Sequence, residues 1–260
     1  MEARYRTIFV SDLHLGAEES RASDFLDFLD TVSADRIYLV GDIVDIERLQ
    51  NRPLFPQSHG QVIARLVQLA DSGIDVRYIP GNHDHPMRSL VGRDICGIPV
   101  MMEAEHQTAN GKSLLVVHGD VLDGVVNKGS AQHSLGATAY RLIMRVDVTV
   151  NQVRGFLGQD YVSISSAIKN KVRLAYEYIR RYESCAAELA AERGFDGIVC
   201  GHIHRPCIRE IDGVIYANDG DWVEHRTALA ELQDGSLQLL HWKGGTVVTG
   251  TLSRPDTLAA

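Results

Sequence analysis

A chain of 260 residues with 45 % hydrophobic content is long enough to bury one large core. No apolar run approaches the roughly 20 residues that a membrane span needs. A net charge of −8 argues against a dedicated nucleic-acid binder. The four cysteines, Cys96, Cys185, Cys200 and Cys207, form no CxxC pair, and each reads as a core-filling thiol. Met1-Glu2-Ala3-Arg4-Tyr5-Arg6 leads straight into a strand without a secretory apolar region, so a cytoplasmic protein is expected.

The first strand signal, Ile8-Phe9-Val10, ends on Asp12-Leu13-His14. A helix follows at Ser23–Val32, with Phe25, Leu26, Phe28 and Leu29 on one side. Ile37-Tyr38-Leu39-Val40 is the second strand and runs into Gly41-Asp42-Ile43-Val44-Asp45. The next helix spans about Gln61–Ala70, and Gly73 is its stop. A third strand, Val76-Arg77-Tyr78-Ile79, leads to Gly81-Asn82-His83-Asp84. This alternation predicts βαβ units. Shorter strands follow near Val100, at His106–Ala109 and at Ser113–His118, with Asn110-Gly111 as a hairpin turn. Leu114-Leu115-Val116-Val117 carries His118-Gly119-Asp120.

Residues 125–193 contain almost no strand signal. One helix is expected at about Ala137–Leu157. A longer one starts near Ser163 or Ser165, with the stripe Ile164, Ile168, Val172, Ala175, Ile179 and Tyr182. Between Asp123 and Glu183 nine Lys/Arg face five Asp/Glu, so this stretch is +4 in a chain that is otherwise −12. Such an island suggests an anionic partner, against the plainer reading of a solvated helix surface. Strands resume from Asp196 to about Val248. Gly197-Ile198-Val199-Cys200 ends on Gly201-His202-Ile203-His204, and Asp212-Gly213 and Asp234-Gly235 are hairpin turns. The expected architecture is α/β: a four-layer α/β/β/α sandwich built from 1–124 and 194–260, with 125–193 a helical cap laid over one sheet edge.

Five motifs, each directly after a strand, place their side chains on the edge where α/β folds carry out chemistry. Together they offer seven ligands for two cations: Asp12, His14, Asp42, Asn82, His118, His202 and His204. Carboxylates, imidazoles and an amide oxygen suit hard or borderline divalent ions. Mn²⁺ is expected, with Fe²⁺, Zn²⁺ and Mg²⁺ as alternatives. Two such ions about 3.5–4 Å apart clamp a phosphoryl oxygen and lower the pKa of water. Asp42, after the central strand, is the natural bridge. Asp12 and His14 have the i, i+2 spacing that puts them on one side of an extended chain. Isolated histidines at 59, 106, 133 and 241 read as surface or core.

The five blocks resemble those of the calcineurin-like metallophosphoesterases. Carried over by position, the resemblance implies one ion held by Asp12, His14, Asp42 and His204, and a second by Asp42, Asn82, His118 and His202. His83 matches the family's histidine that contacts phosphate or protonates the leaving oxygen, and Asp45 its orienting partner. Phosphoprotein phosphatases carry Arg-Gly after the second block and Gly-Asn-His-Glu in the third. This chain has Ile46-Glu47 and His83-Asp84 instead. Ser11-Asp12-Leu13-His14-Leu15-Gly16, Gly201-His202-Ile203-His204-Arg205-Pro206 and Asn218-Asp219-Gly220-Asp221-Trp222-Val223-Glu224 are closer to another branch. They resemble the UDP-2,3-diacylglucosamine pyrophosphatases of lipid A synthesis, in particular the longer, second-type relatives.

That resemblance implies cleavage to UMP and 2,3-diacylglucosamine 1-phosphate. It also implies a lipid-linked nucleotide-sugar substrate and peripheral contact with the anionic inner membrane, while the acidic charge implies no nucleic-acid partner. One departure is that well-studied members carry Arg where this chain has His83. A His also suits a diester with a poor leaving group. A phosphodiesterase or nucleotide pyrophosphatase on a soluble substrate is therefore the alternative, and a non-catalytic metal-binding scaffold a further one. Asp123, Ser165, Ser166, Lys169, Asn170 and Lys171 are the candidate substrate contacts in the cap, against plain helix surface.

Overall fold

The computed structural model describes residues 3–126 and 166–250. Its contacts divide the chain into two compact units, Met1–Asp120 with Ala186–Ala260, and Val121–Cys185. The expected helix at Ala137–Leu157 lies outside the described residues.

In the larger unit, β1 (Ala3–Val10), α1 (Ala22–Thr31), β2 (Val32–Val40), α2 (Ile46–Asn51), α3 (Gln57–Asp71) and β3 (Asp75–Ile79) come first. A small hairpin, β4 (Asp94–Ile95) and β5 (Ile98–Pro99), precedes β6 (Ala104–Gln107) and β7 (Ser113–Val116). In the smaller unit, α4 (Asp123–Val126) is a single turn, and α5 (Ser166–Glu192) runs from there into the larger unit. The chain then forms β8 (Gly197–Cys200), β9 (Cys207–Ile211), β10 (Val214–Asn218), β11 (Thr227–Glu231), β12 (Leu237–Lys243) and β13 (Thr246–Gly250).

One sheet has the order β13-β12-β11-β1-β2-β3, the other β6-β7-β8-β10-β9. β1, β2 and β3 are parallel, as are β7, β8 and β10. Within each sheet the motif-bearing strands therefore deliver their C-terminal ends to one edge. This is the layered α/β sandwich expected from the sequence.

Strand alternation divides the apolar side chains between two cores. Ile8, Val10, Ile37 and Leu39 pack with Phe25, Phe28 and Leu29 of α1 and Val62, Leu66 and Leu69 of α3. Phe9, Tyr38, Val40 and Ile79 face the other way, against Leu114, Val116, Val199 and Ala217 of the second sheet. Phe9 and Tyr38 stack there at 5.1 Å. Burying each such side chain contributes about 1.5–3 kcal/mol. Leu115, Ile198 and Tyr216, on the outer face of the second sheet, are buried too, as are Ala186, Ala187 and Ala190 at the end of α5.

The turn signals act locally. Gly73, at φ +95°, ends α3 in a Schellman motif: its N–H donates to Ala70 O at 3.0 Å, and Ile74 N–H donates to Leu69 O at 3.1 Å. Asp212 and Gly213 both have positive φ, as a type I′ hairpin requires. The β4–β5 turn has the same geometry at Cys96 and Gly97. This corrects one expectation: Cys96 is an exposed turn residue, while Cys200 and Cys207 are buried. A thiol in the left-handed region at a hairpin tip has no core to fill.

A polar cluster ties β1, β6 and β11 together. Glu231 is fully buried and accepts from Thr7 Oγ1 at 2.9 Å, Ala109 N–H at 2.8 Å and Arg6, while His106 Nε2 lies 2.9 Å from it. Burial opposes its charge, but His106, the Ala109 N–H, Arg6 and Thr7 outweigh burial and hold its carboxyl at about 2. A depressed carboxyl stabilises the fold above its unfolded value near 4.5. That stability is lost as pH falls through about 2. Glu231→Gln is expected to cost about 3 kcal/mol at pH 7, a deficit that shrinks towards zero near pH 2. Urea unfolding across pH measures it, and a pH-independent deficit would contradict the charge-based account.

Candidate metal centre

The loops after β1, β2, β3, β7 and β8 are knitted by their backbones. Asp12 N–H donates to Gly41 O at 3.0 Å, His14 N–H to Asp42 O at 2.9 Å, and Ile46 N–H to His83 O at 3.1 Å. Gly201 N–H donates to His118 O at 3.1 Å. Carboxylates add cross-links. Asp12 Oδ2 accepts His202 N–H at 2.9 Å, and Asp42 Oδ1 accepts His83 N–H at 2.8 Å. Asp84, fully buried, accepts Ile43 N–H at 2.9 Å and Gly81 N–H at 2.5 Å, and also the Tyr78 hydroxyl.

This lacing forces unusual backbone at the candidate ligand positions. Asp12, His14, Asp42, His202 and His204 have φ between 47° and 68°. They are five of the eight non-glycine residues with positive φ among the described residues. Such conformations cost of order 1–3 kcal/mol each and persist where the surroundings impose them.

The side chains converge in three groups: Asp12 with His14 and His204, Asp42 with His118 and His202, and His14 with Asp45 and His83. Asp12 Oδ1 lies 3.0 Å from His204 Nε2 and 3.6 Å from His14 Nε2. Asp42 Oδ2 lies 3.4 Å from His118 Nε2 and 3.9 Å from His14 Nε2. One oxygen of Asp42 thus faces an imidazole from each of the first two groups, while its other oxygen is occupied by His83 N–H. Asp45 sits between two histidines, with Oδ2 3.4 Å from His14 Nδ1 and Oδ1 3.2 Å from His83 Nδ1. The same carboxylate caps α2 by accepting Arg48 N–H at 2.9 Å.

The calcineurin-like phosphoesterase profile matches residues 5–206. The chain belongs to that family. A UDP-2,3-diacylglucosamine hydrolase of Photorhabdus laumondii is 28 % identical over 252 residues, covering 90 % of this chain and 98 % of that one. One from Photobacterium profundum is 26 % identical, covering 88 % and 94 %. One from Serratia proteamaculans reaches 33 %, but over 45 % of this chain and 48 % of that one. Among solved structures, the Escherichia coli phosphoesterase YfcE superposes with a TM-score of 0.48 at 13 % identity, covering 95 % of this chain and 99 % of that one.

Family membership makes this phosphoesterase a metal-dependent hydrolase, and its site fits divalent ions on its own terms. Asp12 Oδ1, His14 Nε2, Asn82 Oδ1 and His118 Nε2 are buried atoms with no hydrogen-bond partner. Buried polar atoms rarely stay unpaired, and all four can act as acceptors towards a cation once any imidazole proton is displaced. The tautomers agree. His118 Nδ1 lies 2.8 Å from Val40 O, so Nδ1 donates there and Nε2, turned towards Asp42, is the nitrogen that would meet a cation.

The electrostatics agree as well. Burial disfavours a charged His14, yet Asp12, Asp45 and Asp42 outweigh burial and raise it to about 10. Burial likewise opposes charge on His118, and Asp42 lifts it well above the usual range. Burial opposes ionisation of Asp12, but His204 and His14 hold its carboxyl well below the usual range. Protons held there would occupy the place of a cation, and loading would displace them. The donors are oxygen and nitrogen throughout, without thiolate.

Glycines make the space. A Cβ on Gly81 would lie 2.3 Å from Asp42 Oδ1 and 2.7 Å from His118 Nε2. Gly81→Ala is therefore expected to weaken ion binding on the order of 10–100-fold by tilting both side chains. Titration calorimetry of the metal-free protein checks this, and unchanged affinity would show that the loop yields.

Of the residues singled out from sequence, Asp12, His14, Asp42, His118, His202 and His204 gather in these groups, as do His83 and Asp45; Asn82, next to His83, has its Oδ1 buried without a partner. Asp123 belongs to the smaller unit, where it accepts from Tyr178 Oη at 2.7 Å. Ser165 and the side chains of Ser166, Lys169, Asn170 and Lys171 lie outside the described residues. In the described part of the α5 stripe, Ala175, Ile179 and Tyr182 are buried. Of the isolated histidines, His59 and His106 are buried, His241 is half-buried and His133 lies outside the described residues; His59 Nδ1 accepts Gly16 N–H at 2.7 Å.

Sequence reasoning passed over Ser11, Asp84 and Asp219. Each lies within or beside a quoted motif, but only the three-dimensional contacts give it a task.

Proposed function

We propose that this phosphoesterase splits the pyrophosphate of UDP-2,3-diacylglucosamine into UMP and 2,3-diacylglucosamine 1-phosphate. One ion would be held by Asp12, His14, Asp42 and His204, the other by Asp42, Asn82, His118 and His202. The observation that carries the chemistry is Asp42 Oδ2, set between His14 and His118 with its partner oxygen already engaged. The substrate rests on similarity along nearly the whole chain to proteins named for that hydrolysis.

When bound, the two cations polarise the phosphoryl oxygens and acidify a water. The chain's own residues supply the rest. His83, about a quarter exposed, meets a phosphoryl or leaving oxygen while Asp45 fixes its ring. Mn²⁺ is the proposed ion, since oxygen- and nitrogen-rich sets of this kind suit it. Among the described residues no helix is long and apolar enough to cross a membrane. The proposed meeting with an acylated substrate is peripheral, aided by the +4 charge of Asp123–Glu183.

A second reading is favoured by His83 itself: hydrolysis of a soluble diester or nucleotide pyrophosphate whose leaving oxygen needs a proton. One experiment separates the two. The Mn²⁺-loaded protein is given UDP-2,3-diacylglucosamine, a soluble UDP-sugar and bis-p-nitrophenyl phosphate, and UMP or nitrophenolate is followed. Rapid UMP release from the acylated substrate alone supports the lipid reading. Comparable release from the soluble UDP-sugar moves the assignment to the second.

A further inference from the structure

Ser11 Oγ stands 2.6 Å from Asp12 Oδ2, 2.6 Å from Asp219 Oδ1 and 3.2 Å from the Gly220 carbonyl. Ser11, Asp12 and Asp219 are all buried. The hydroxyl is held on every side: a Cβ on Gly201 would come within 2.1 Å of it. The Asp219 backbone is held as well, its N–H donating to Cys200 O at 3.1 Å and its carbonyl accepting Thr227 Oγ1 at 2.8 Å.

A serine hydroxyl has one proton to donate. Contacts of 2.6 Å between oxygens are charge-assisted hydrogen bonds. Without a proton between them they would be repulsive. Two such contacts on one hydroxyl therefore require a second proton, held by one of the carboxyls. Asp12 is not its holder: Oδ2 already accepts His202 N–H, and Oδ1 faces His204 and His14. Asp219 remains. Its other oxygen, Oδ2, is buried without a partner. An unpaired carboxylate oxygen there would be very costly, whereas the carbonyl oxygen of a neutral acid costs far less.

We infer that Asp219 is a positioning residue of the metal centre: a neutral carboxylic acid that donates to Ser11 Oγ. Ser11 then commits its own proton to Asp12 Oδ2, and Asp12 presents Oδ1 to the cation. Burial first, and then the charge of Asp12, push the Asp219 carboxyl up, with Ser11 and His118 opposing. The inference rests on the proposal that Asp12 is a ligand. Its effect is on affinity and orientation rather than on the reacting atoms.

Three single variants, one double variant and one spectrum test it. Asp219→Asn replaces the acid's O–H by an amide N–H, so Mn²⁺ affinity is expected within about three-fold of wild type. Ser11→Ala and Asp219→Ala are each expected to lose on the order of 10–100-fold, the range for outer-shell partners. The double variant should lose no more than either single one, because both break the same relay. Infrared difference spectra of the metal-free protein at pH 7, wild type minus Asp219→Asn, should show the carbonyl stretch of one protonated carboxyl.

Asp219→Asn binding as poorly as Asp219→Ala would overturn the inference, since a charge would then be what matters. So would three variants that bind like wild type, or absence of the infrared band. Wild-type protein that takes up no ions would sink the metal-centre reading instead, and the infrared measurement would still decide the state of Asp219.

Discussion

Asp42→Asn is expected to abolish paired ion binding and to cut phosphodiester turnover more than about 100-fold, beyond the roughly 10–100-fold typical of outer-shell losses. The expectation follows from the orientation the amide must take. His83 N–H donates to Asp42 Oδ1 at 2.8 Å, so the amide oxygen of the variant takes that place. The NH₂ group then faces His118 and His14, where Asp42 Oδ2 stood 3.4 and 3.9 Å from their Nε2 atoms. A donor replaces the shared acceptor, and its hydrogens satisfy the imidazole lone pairs that a cation would use.

The fold should survive, because the amide keeps the loop cross-link to His83 N–H. Metal-free variant is expected to melt somewhat below wild type, since His118 and His14 hold the Asp42 carboxyl ionised and the amide loses that pairing, and it should show no gain on adding Mn²⁺. Wild type should gain about 2.7 kcal/mol at a hundred times its Kd. Metal analysis, melting curves and bis-p-nitrophenyl phosphate turnover form one experiment. Two tightly held ions with near-normal turnover in the variant would remove Asp42 from the bridging position.

The candidate ligand positions were legible because the fold announces them locally. A β-branched run followed by Asp, Asn or His at a strand end is a short-range pattern. Five of them, in parallel strands, leave few ways to arrange the edge. Helix limits were read from amphipathic spacing: Phe25, Phe28 and Leu29 mark α1, and Gly73 marks the end of α3. The α2 helix was not legible, since Ile46–Asn51 is too short for a periodic signal. Its start is set by Asp45, whose carboxylate caps Arg48 N–H while also facing two histidines. The β4–β5 hairpin was missed for a related reason: Cys96 takes the turn conformation usually given to Asn or Asp. Ser11, Asp84 and Asp219 were invisible as participants because their partners lie 41 or 208 residues away in sequence for the decisive bonds. Spacing within a motif locates ligands; the groups that orient them are chosen by how the loops cross.

Replacing His83 by alanine is expected to produce a loss that depends on the leaving group. Acid assistance contributes roughly 10²–10⁴-fold where the departing oxygen is basic, and little where it is already a stable anion. Alkyl phosphodiesters should therefore lose most of their turnover, and bis-p-nitrophenyl phosphate should lose little. A pyrophosphate falls with the second group, because its leaving group is itself a phosphate. The geometry supports a proton role: His83 Nδ1 lies 3.2 Å from Asp45 Oδ1, and the same carboxylate meets His14 Nδ1 at 3.4 Å. Asp45→Asn should consequently reproduce the leaving-group dependence with a smaller amplitude, since the ring remains but its orientation loosens. A slope of log rate against leaving-group pKa that steepens in His83→Ala identifies the acid. Parallel lines for wild type and variant would show instead that His83 holds the phosphoryl oxygens by charge and hydrogen bonding alone. That result would bring its role close to that of an arginine in the same place and would strengthen the pyrophosphatase assignment over the soluble-diester one.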